Sequence, residues 1–265
     1  MKYGFIGLGN MASAILRGMK KYSSEFDNDV IYGYDLSKEK CDELSSELGL
    51  EILSSEADIV ENAETVVLAV KPQMMAGVLE KIAPLVNNKL IITIAAGKPI
   101  AFYEDKLRNA PVVRIMPNIN AKVCCAVSGL CGGTYANDEH KATARRIFET
   151  VGTVFEITEN QFPAFSALGG ASGSFVLMLI DAIASAGVKA GLPRMLSENI
   201  AEQVVVGSGK LAQKSDEHPC ALVDQICSPG GTTIEGIHML KKMGFEAAVH
   251  EGINAIIEKD LKLAK

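Results

Sequence analysis

The stretch GFIGLGNMASAI, residues 4–15, places a glycine loop between an apolar run and an amphipathic run. Gly7, Gly9 and Ala12 give it the pattern GxGxxA. In such a loop the first glycine permits a tight turn, the second lets the backbone approach a pyrophosphate, and the small third residue lets helix and strand pack. The N-terminus of the helix attracts the anion. We therefore predict a dinucleotide site formed by Gly7, Gly9, Asn10, Met11 and Ala12; the alternative is a glycine turn in another α/β fold.

Strands and helices alternate around this loop as far as residue 157. After KYGFI (2–6) and the helix NMASAILRGM (10–19), the predicted strands are VIYGY (30–34), TVVLAV (65–70), LIITIA (90–95), PVVRIMP (111–117), SGLCGG (128–133) and TVFEI (153–157). Further helices are predicted over SKEKCDELSSEL (37–48), MMAGVLEKIAPLV (74–86) and DEHKATARRIFETVG (138–152). Apolar strands separated by helices are typical of a parallel sheet covered on both faces. We predict a doubly wound, mainly parallel α/β sheet in a Rossmann domain of residues 1–160.

Helical periodicity alone follows this region. The predicted helical runs are residues 163–192, PRMLSENIAEQVVVGSGKLAQK (193–214) with Pro193 at the first helical position, PCALVDQI (219–226), and residues 233–264 with a break near Gly244. No strand candidate occurs among them. We therefore predict an all-α second domain spanning residues 161–265.

Composition narrows the classes of partner. The chain has 265 residues, 48% of them hydrophobic, and a formal net charge of −6 without clustered Lys and Arg, which argues against a nucleic-acid partner. Its longest apolar run is interrupted by Asp181, so we expect a buried helix, no membrane partner and a cytoplasmic protein. The six cysteines show no CxxC and no His/Cys ligand spacing, which predicts reduced thiols and no metal site.

Polar residues follow the second predicted strand, where a dinucleotide would place its adenine ribose. Asp35 is positioned to accept hydrogen bonds from the ribose hydroxyls of NAD, and it would repel a 2′-phosphate. Ser37, Lys38 and Lys40 could hold that phosphate if Asp35 points outward, although a solvated helix face is the alternative for both lysines. The sequence leaves both NADH and NADPH open.

Later strand ends lie on the same edge of the sheet, where doubly wound folds bind ligands. We predict cofactor contacts there from Ala69, Val70, Lys71, Pro72, Ala95, Ala96, Gly97 and Asn118. Pro72 favours a turn, and Lys71 could meet the nicotinamide ribose or carboxamide unless it is a plain surface lysine. Asn118 is a polar contact expected at the nicotinamide end.

A second glycine loop, CSPGGTT (227–233), precedes another helix. Its accessible backbone N–H groups, threonine hydroxyls and helix N-terminus could together hold a carboxylate. From the residues alone, a plain turn with Thr232 as the helix cap is the simpler interpretation.

Taken together, these motifs resemble pyrroline-5-carboxylate reductases. GFIGLGNMA, LAVKPQ, IAAGK, RIMPN, GLPR, HPCALVDQICSPGGTTIEGIHML and GFEAAV occur in that family's order and spacing over essentially the whole chain. The resemblance implies hydride transfer from NADPH or NADH to the C=N bond of 1-pyrroline-5-carboxylate, giving L-proline in the last step of its biosynthesis. It also implies a C-terminal domain like that of 6-phosphogluconate dehydrogenase, a homodimer with interlocked C-terminal helices, and assembly that could extend to a decamer of dimers.

The resemblance also assigns the second glycine loop to the substrate carboxylate. By position, Ser228, Gly230, Gly231, Thr232 and Thr233 inherit that role, and Thr233 is the catalytic candidate nearest the imine nitrogen. His140, His218, His238, His250 and Cys227 are not expected to act in catalysis, and Glu235 is expected to point away from the substrate.

Some positions depart from the family pattern and keep alternatives open. Asn120 and Gly173 replace residues common in the family, which leaves loop details uncertain, and Asp35 and Glu56 are acidic where members often carry neutral or basic residues. A related imine or β-hydroxyacid dehydrogenase is the alternative enzyme, but the first helix after residue 173 has no lysine before Asp181 to move a hydroxyl proton. A non-catalytic nucleotide sensor is disfavoured by the intact CSPGGTT loop.

Overall fold

The computed structural model describes residues 1–21 and 23–263, and it divides into two compact units. The first unit comprises Met1–Gly170 together with the end of the last helix from Lys259, and the second comprises Ala171–Glu258. The predicted domain boundary, between residues 160 and 161, stays a prediction.

The first unit contains a single sheet of eight strands in the order β3-β2-β1-β4-β5-β6-β7-β8. Their bounds are β1 Lys2–Ile6, β2 Val30–Tyr34, β3 Glu51–Ile52, β4 Thr65–Leu68, β5 Leu90–Thr93, β6 Val112–Met116, β7 Ala126–Gly132 and β8 Gly152–Glu156. All neighbours are parallel except β6 and β7, which pair antiparallel with Met116 opposite Gly129. The predicted doubly wound, mainly parallel sheet is confirmed.

The helices of the first unit cover both faces of the sheet. They are α1 Asn10–Lys21, α2 Lys38–Leu48, α3 Glu56–Asn62, α4 Met75–Ile82, α5 Ile100–Leu107, α6 Asp138–Glu149 and the single turn α7 Phe162–Phe165. β3, α3 and α5 were not predicted from the sequence. The predicted α4 extended to residue 86, whereas the helix ends at Ile82 because Pro84 has no N–H to continue the hydrogen-bond ladder.

Two apolar layers hold these elements together. Phe5 and Val67 face a layer that includes Ile15 of α1 and Phe148 of α6. Their strand neighbours Ile6, Val66 and Leu68 face the opposite layer, which α3, α4 and α5 complete. Because successive strand side chains point to opposite faces, burial on both sides explains why the strands are apolar throughout. Burying each of these large side chains contributes about 1.5–3 kcal/mol.

The second unit consists of helices joined by short loops, and its described residues contain no strand. Its helices are α8 Gly173–Lys189, α9 Arg194–Lys214, α10 Pro219–Ile226 and α11 Thr232–Lys242, and α12 Phe245–Leu263 runs to the end of the described chain. A π-helical turn, Ser166–Ala171, precedes α8. The predicted break at Gly244 is confirmed by its φ of +77°. The predicted helix end at Ala264 lies outside the described residues.

Two expectations about this helical region need correction. Pro193 has an extended ψ of 141° and is the N-cap of α9, so the helix begins at Arg194 and not at Pro193. One helical run, Glu159–Lys189, is long and apolar enough to cross a membrane by length and composition, with 11% of its apolar window buried. Ala184 is the one buried residue of α8, so the expected burial of this helix does not hold in the single chain. One helix of this length and composition is weak evidence for a membrane span.

Candidate dinucleotide and substrate sites

The glycine loop between β1 and α1 shows why its two glycines are needed. Gly7 has a φ of +94° and donates its N–H to the Tyr34 carbonyl over 2.8 Å. A Cβ at Gly7 would lie 2.8 Å from the carbonyl carbon and oxygen of Ala69, which no L side chain tolerates. A Cβ at Gly9 would meet nothing within 4 Å. The fold therefore requires Gly7, whereas Gly9 leaves open space beside the helix N-terminus.

The first turn of α1 follows this loop directly. Asn10 is the first helical residue, and the Ser13 N–H donates to the Gly9 carbonyl over 2.9 Å. Ala12 is buried and Met11 is half-buried against the core, so these predicted residues support the loop by packing. The helix N-terminus consequently points at the open space that Gly9 leaves, as an anion site requires.

Asp35 follows β2 and is fixed against the glycine loop. Its Oδ2 accepts the Leu8 N–H over 2.7 Å and its Oδ1 accepts the Ser37 N–H over 2.8 Å. Its side chain is 16% exposed, and Lys40 Nζ lies 3.9 Å from Oδ2. Ser37 is the N-cap of α2 but makes no side-chain cap hydrogen bond. The carboxylate is therefore held inward, contrary to the outward orientation that the NADPH alternative needed.

A cavity of about 430 Å³ lies beside this loop at the ends of β1, β2 and β4. It brings together seven predicted residues, namely Gly7, Gly9, Asp35, Ser37, Ala69, Val70 and Lys71. It also includes Leu36, Met74 and Val78, which were not predicted, together with Lys40, named above for a 2′-phosphate, and Glu56, named above as an acidic departure from the family pattern. Its dimensions and its apolar and polar lining suit the adenosine half of a dinucleotide.

The added residues carry recognisable signals. Leu36 is 71% exposed and Met74 is 42% exposed, an unusual position for large apolar side chains that line a cavity. Glu56 is buried and accepts a hydrogen bond from Lys81 Nζ over 2.8 Å, and this bond raises the pKa of Lys81. Leu36, two residues after β2, and Met74, the N-cap of α4, could have been predicted from the sequence as binding residues, whereas the burial of Glu56 could not.

The other predicted cofactor residues lie outside this cavity. Ala95, Ala96 and Gly97 follow β5, and Pro72 follows Lys71 in the turn before α4. Asn118 follows β6 and is buried; its Nδ2 donates to the Gly169 carbonyl over 2.7 Å and its Oδ1 accepts the Val127 N–H over 3.2 Å. The amide of Asn118 therefore joins β6 to β7 and to the π-helical turn, and one amide hydrogen is left for a ligand.

A second cavity of about 420 Å³ lies on the other side of the glycine loop. Its lining includes Asn10, Lys40, Lys122 and Arg17. Arg17 is already hydrogen-bonded to Glu47 and Glu43. This cavity therefore offers Asn10 and two lysines, but no site of fixed geometry.

The second glycine loop forms an open helix N-terminus. The Gly231 N–H donates to the Ser228 carbonyl over 2.9 Å, and Gly230 has a φ of +67°. Gly231, not Thr232, is the N-cap of α11, so no side chain caps this helix. Thr232 and Thr233 begin the helix and are exposed, as are Ser228 and Gly230. The loop presents first-turn N–H groups and two hydroxyls to solvent, which corrects the plain interpretation of Thr232 as a cap.

Two histidines serve as helix caps. The Nδ1 of His140 accepts the Asn137 N–H over 3.1 Å while Asn137 Oδ1 accepts the His140 N–H over 2.9 Å, a reciprocal cap of α6. The Nδ1 of His218 accepts the Cys220 N–H over 3.2 Å at the start of α10. These bonds give both side chains structural roles. All six cysteines are free, and the described residues contain no cluster of three or more His, Cys, Asp or Glu suited to a metal ion.

Comparisons with known proteins agree on one family. Residues 159–263 match the family model described as pyrroline-5-carboxylate reductase dimerisation, and residues 2–97 match that of coenzyme F420-dependent NADP oxidoreductase. The chain is 36% identical to pyrroline-5-carboxylate reductases of Methanosarcina acetivorans and Escherichia coli, over 100% of this chain and 98% of each relative. It is similar to the solved Plasmodium falciparum pyrroline carboxylate reductase with NADP bound, with 31% identity, a TM-score of 0.85 and coverage of 100% and 98%.

Proposed function

The chain belongs to the pyrroline-5-carboxylate reductase family, and from this we propose that it is an NAD(P)H-dependent reductase of 1-pyrroline-5-carboxylate. Its product is L-proline, and the reaction is the last step of proline biosynthesis. The observation that carries the proposal is the uncapped start of α11 in the CSPGGTT loop, because the glycine-loop cavity alone would suit many dehydrogenases.

We propose that this start of α11 holds the substrate carboxylate. The loop offers the N–H groups of the first helical turn together with the hydroxyls of Ser228, Thr232 and Thr233. Hydrogen bonds to a charged group contribute about 1.5–3 kcal/mol each, and a helix N-terminus adds about 0.3–1 kcal/mol. An anion can therefore be bound here without a basic side chain.

The coenzyme fits the first unit of the chain. Gly7 and Gly9 leave the backbone at the start of α1 accessible to a pyrophosphate, and Asp35, Ser37, Ala69, Val70 and Lys71 surround the cavity for the adenosine half. We assign Ala95, Ala96, Gly97 and Asn118 to the nicotinamide half because they follow the next strands along the same sheet edge. When bound, the reduced nicotinamide supplies the hydride that the carbon of the C=N bond receives.

Thr233 is proposed to position the imine nitrogen. If the imine binds protonated, the hydroxyl of Thr233 accepts its N–H and fixes the orientation of the ring. If the imine binds neutral, Thr233 or a water held by it delivers the proton that the ring nitrogen gains. In either case the reaction needs an oriented electrophile and no strong general base.

The chain forms a homodimer through the region that matches the dimerisation model. We further propose that residues 161–265 interlock with the same helices of a second copy, that residues 1–160 form the dinucleotide-binding domain, and that assembly extends to a decamer of dimers. The apolar run Glu159–Lys189 supports an interface between copies, because it leaves most of its apolar window exposed in the single chain. We propose a cytoplasmic location for such an enzyme.

The direct test is to mix the purified protein with 1-pyrroline-5-carboxylate and follow the oxidation of NADH and NADPH separately. We expect oxidation that depends on the substrate and produces proline in equal amount. Absence of oxidation with both coenzymes would remove the reductase assignment. A related hydroxyacid dehydrogenase would instead oxidise a β-hydroxyacid with the oxidised coenzyme, which serves as the comparison reaction.

A further inference from the structure

Four charged side chains line the cavity beside the glycine loop: Asp35, Glu56, Lys40 and Lys71. Asp35 follows β2, where the acidic residue of a dinucleotide-binding domain meets the ribose 2′-hydroxyl. Glu56 opens α3, the helix after the adjacent strand β3. The ribose end of the cavity therefore carries two carboxylates.

The carboxylate of Asp35 cannot leave this position without cost. Both of its oxygens accept backbone N–H groups, from Leu8 at 2.7 Å and from Ser37 at 2.8 Å. Rotating the side chain into solvent would leave these donors unpaired, one of them within the glycine loop. Each oxygen retains a second lone pair, so the same carboxylate can also accept a ribose hydroxyl.

The carboxylate of Glu56 is likewise held in place. Its side chain is 9% exposed, and Lys81 donates to its Oε1 over 2.8 Å. Lys81 belongs to α4 and is not part of the cavity lining. Glu56 therefore lines the cavity, whereas its positive partner does not.

The nearby lysines already compensate these carboxylates. Lys40 lies 3.9 Å from Asp35, and Lys81 is bonded to Glu56. Lys71 follows β4, which is separated from β2 by β1, so it borders the cavity on the side away from Asp35. A 2′-phosphate on the ribose would therefore lie beside the fixed carboxylates of Asp35 and Glu56, whose lysine partners are already paired with them.

We propose that Asp35 and Glu56 make this site select NADH over NADPH, an inference that rests on the proposed dinucleotide-dependent function. The 2′-hydroxyl of NADH donates to Asp35, whereas the 2′-phosphate of NADPH brings about 1.5–2 additional negative charges beside both carboxylates. Ser37, Lys38 and the uncapped start of α2 are the groups that would attract a 2′-phosphate, and the proposal is that they do not reverse this repulsion.

The experiment measures binding directly, by titrating NADH and NADPH into the full-length protein without substrate. We compare the wild type with Asp35→Asn and Glu56→Gln, which keep the side-chain volumes and remove one charge each. Glu61→Gln is the matched control, because Glu61 is exposed on the same helix as Glu56 and is not part of the cavity lining. Circular dichroism and thermal melting check that each variant folds.

We expect the wild type to bind NADH at least about tenfold more tightly than NADPH at low salt, a preference that shrinks as salt screens the charges. Glu56→Gln should reduce the ratio of NADH affinity to NADPH affinity several-fold, with the affinity for NADH almost unchanged. Asp35→Asn should narrow it as well, by strengthening NADPH binding while weakening that of NADH. The Glu61→Gln ratio should equal that of the wild type.

Several outcomes would overturn the inference. Wild-type protein that binds NADPH as tightly as NADH would do so. A Glu56→Gln variant with the same ratio of NADH to NADPH affinity as the wild type would also do so, and this result can be interpreted even if Asp35→Asn fails to fold. Failure to bind either coenzyme would remove both this inference and the proposed function. Selective binding of NADH without turnover of 1-pyrroline-5-carboxylate would remove the proposed function alone.

Discussion

The two glycines of one loop are required for different reasons. Gly7 adopts a left-handed backbone, and a Cβ there would lie 2.8 Å from the backbone of Ala69. At Gly9 a Cβ would meet nothing within 4 Å, so the folded chain alone gives no reason for a glycine. The reason must lie in a molecule that approaches the backbone at that point, which is the role of the second glycine in a dinucleotide loop.

The first prediction separates folding from ligand binding at this loop. Gly9→Ala should melt within about 2 °C of the wild type, since it alters few contacts, and should weaken NADH binding by about tenfold or more. Gly7→Ala should lower the free energy of unfolding by about 1–3 kcal/mol, because it combines a positive φ with a steric clash. Thermal melts and coenzyme titrations check both values.

The control for this pair is Gly77→Ala. Gly77 lies in α4, is exposed and has open space around its Cβ position. Alanine there should stabilise the helix by about 0.5–1 kcal/mol and leave coenzyme binding unchanged. Normal NADH affinity in Gly9→Ala would contradict the assignment of the open space to the pyrophosphate.

The second prediction concerns Thr233 at the start of α11. Thr233→Ala should lower kcat/KM for 1-pyrroline-5-carboxylate by about 10 to 100-fold, because one hydrogen bond to the reacting group is lost. Thr233→Ser keeps the hydroxyl and should retain most of the activity. Steady-state kinetics with saturating coenzyme measure the effect. Unaltered turnover in Thr233→Ala would place the imine nitrogen elsewhere.

Among the elements, α1 and α2 are joined by a cluster of ion pairs. Arg17 and Lys21 of α1 both hydrogen-bond Glu47 of α2, and Arg17 also reaches Glu43. The bonds from Arg17 and then Lys21 lower the pKa of Glu47 from 4.5 to about 2. Because α1 begins at the glycine loop and α2 begins just after Asp35, this cluster links the two helices that flank the predicted dinucleotide site.

The third prediction is a pH dependence of stability. A carboxyl with a lowered folded-state pKa stabilises the protein above its unfolded pKa, so its contribution should disappear as the pH falls from about 4.5 towards about 2. Since the cluster is partly exposed, solvent screening limits the loss to about 1 kcal/mol. Glu47→Gln should therefore melt earlier than the wild type at pH 7 and no earlier at pH 2. Equal melting temperatures of Glu47→Gln and the wild type at pH 7 would contradict this prediction.

The fourth prediction concerns the crossing of α8 and α9. The Ser197 hydroxyl is buried without a hydrogen-bond partner among the described residues, and a Cβ at Gly187 would lie 2.7 Å from its oxygen. Ser197→Ala should leave the free energy of unfolding equal or raise it by up to about 1 kcal/mol, because a buried unpaired hydroxyl is removed. Gly187→Ala should lower it by about 1–3 kcal/mol through overpacking. Denaturant titrations compare the two, and destabilisation by Ser197→Ala would indicate a partner for the hydroxyl.

The same elements show what the sequence could predict. The strands around the glycine loop and the helices of ten or more residues have strong periodic patterns, and each was predicted. The seven-residue α3 and the two-residue β3 are too short to show a period. The eight-residue α5 was missed although its buried residues Ile100, Tyr103 and Leu107 recur at helical spacing. The chain passes from β6 to β7 without a crossover helix, so β7 runs antiparallel to β6. The pattern of apolar residues does not indicate the direction of a strand.

The candidate site was predictable to a similar extent. Seven residues of the cavity were predicted because they follow apolar strands in recognisable motifs. The direction of the Asp35 carboxylate depends on the Leu8 and Ser37 N–H groups that the fold brings to it. Glu56 was identified in the sequence as an acidic departure from the family pattern, but its burial and its bond to Lys81 depend on the packing of α3 against α4, which no local pattern indicates.

At the scale of the whole molecule, the apolar surface is distributed unevenly. The first unit buries its large apolar residues in two layers, whereas α8 and α9 expose many of theirs. Leu177 is 67% exposed and Met178 is 71% exposed in the single chain. An exposed apolar face of this kind marks an interaction surface, and the match of residues 159–263 to a dimerisation model identifies the partner as a second copy.

The fifth prediction tests that interface. Leu177→Asp combined with Met178→Asp should convert the homodimer to monomers, because burying each of the native side chains contributes about 1.5–3 kcal/mol and a buried unpaired carboxylate is strongly unfavourable. Light scattering after size-exclusion chromatography measures the mass. Reductase activity should fall at least about tenfold if a second copy helps to form the site, while thermal melting of the first unit should persist.

The control variant Ala142→Asp adds one carboxylate to an exposed position of α6 and should remain dimeric and active. A double variant that stays dimeric at micromolar concentration would show that α8 lies outside the interface, and the dimer would then have to form through another apolar face of the helical unit.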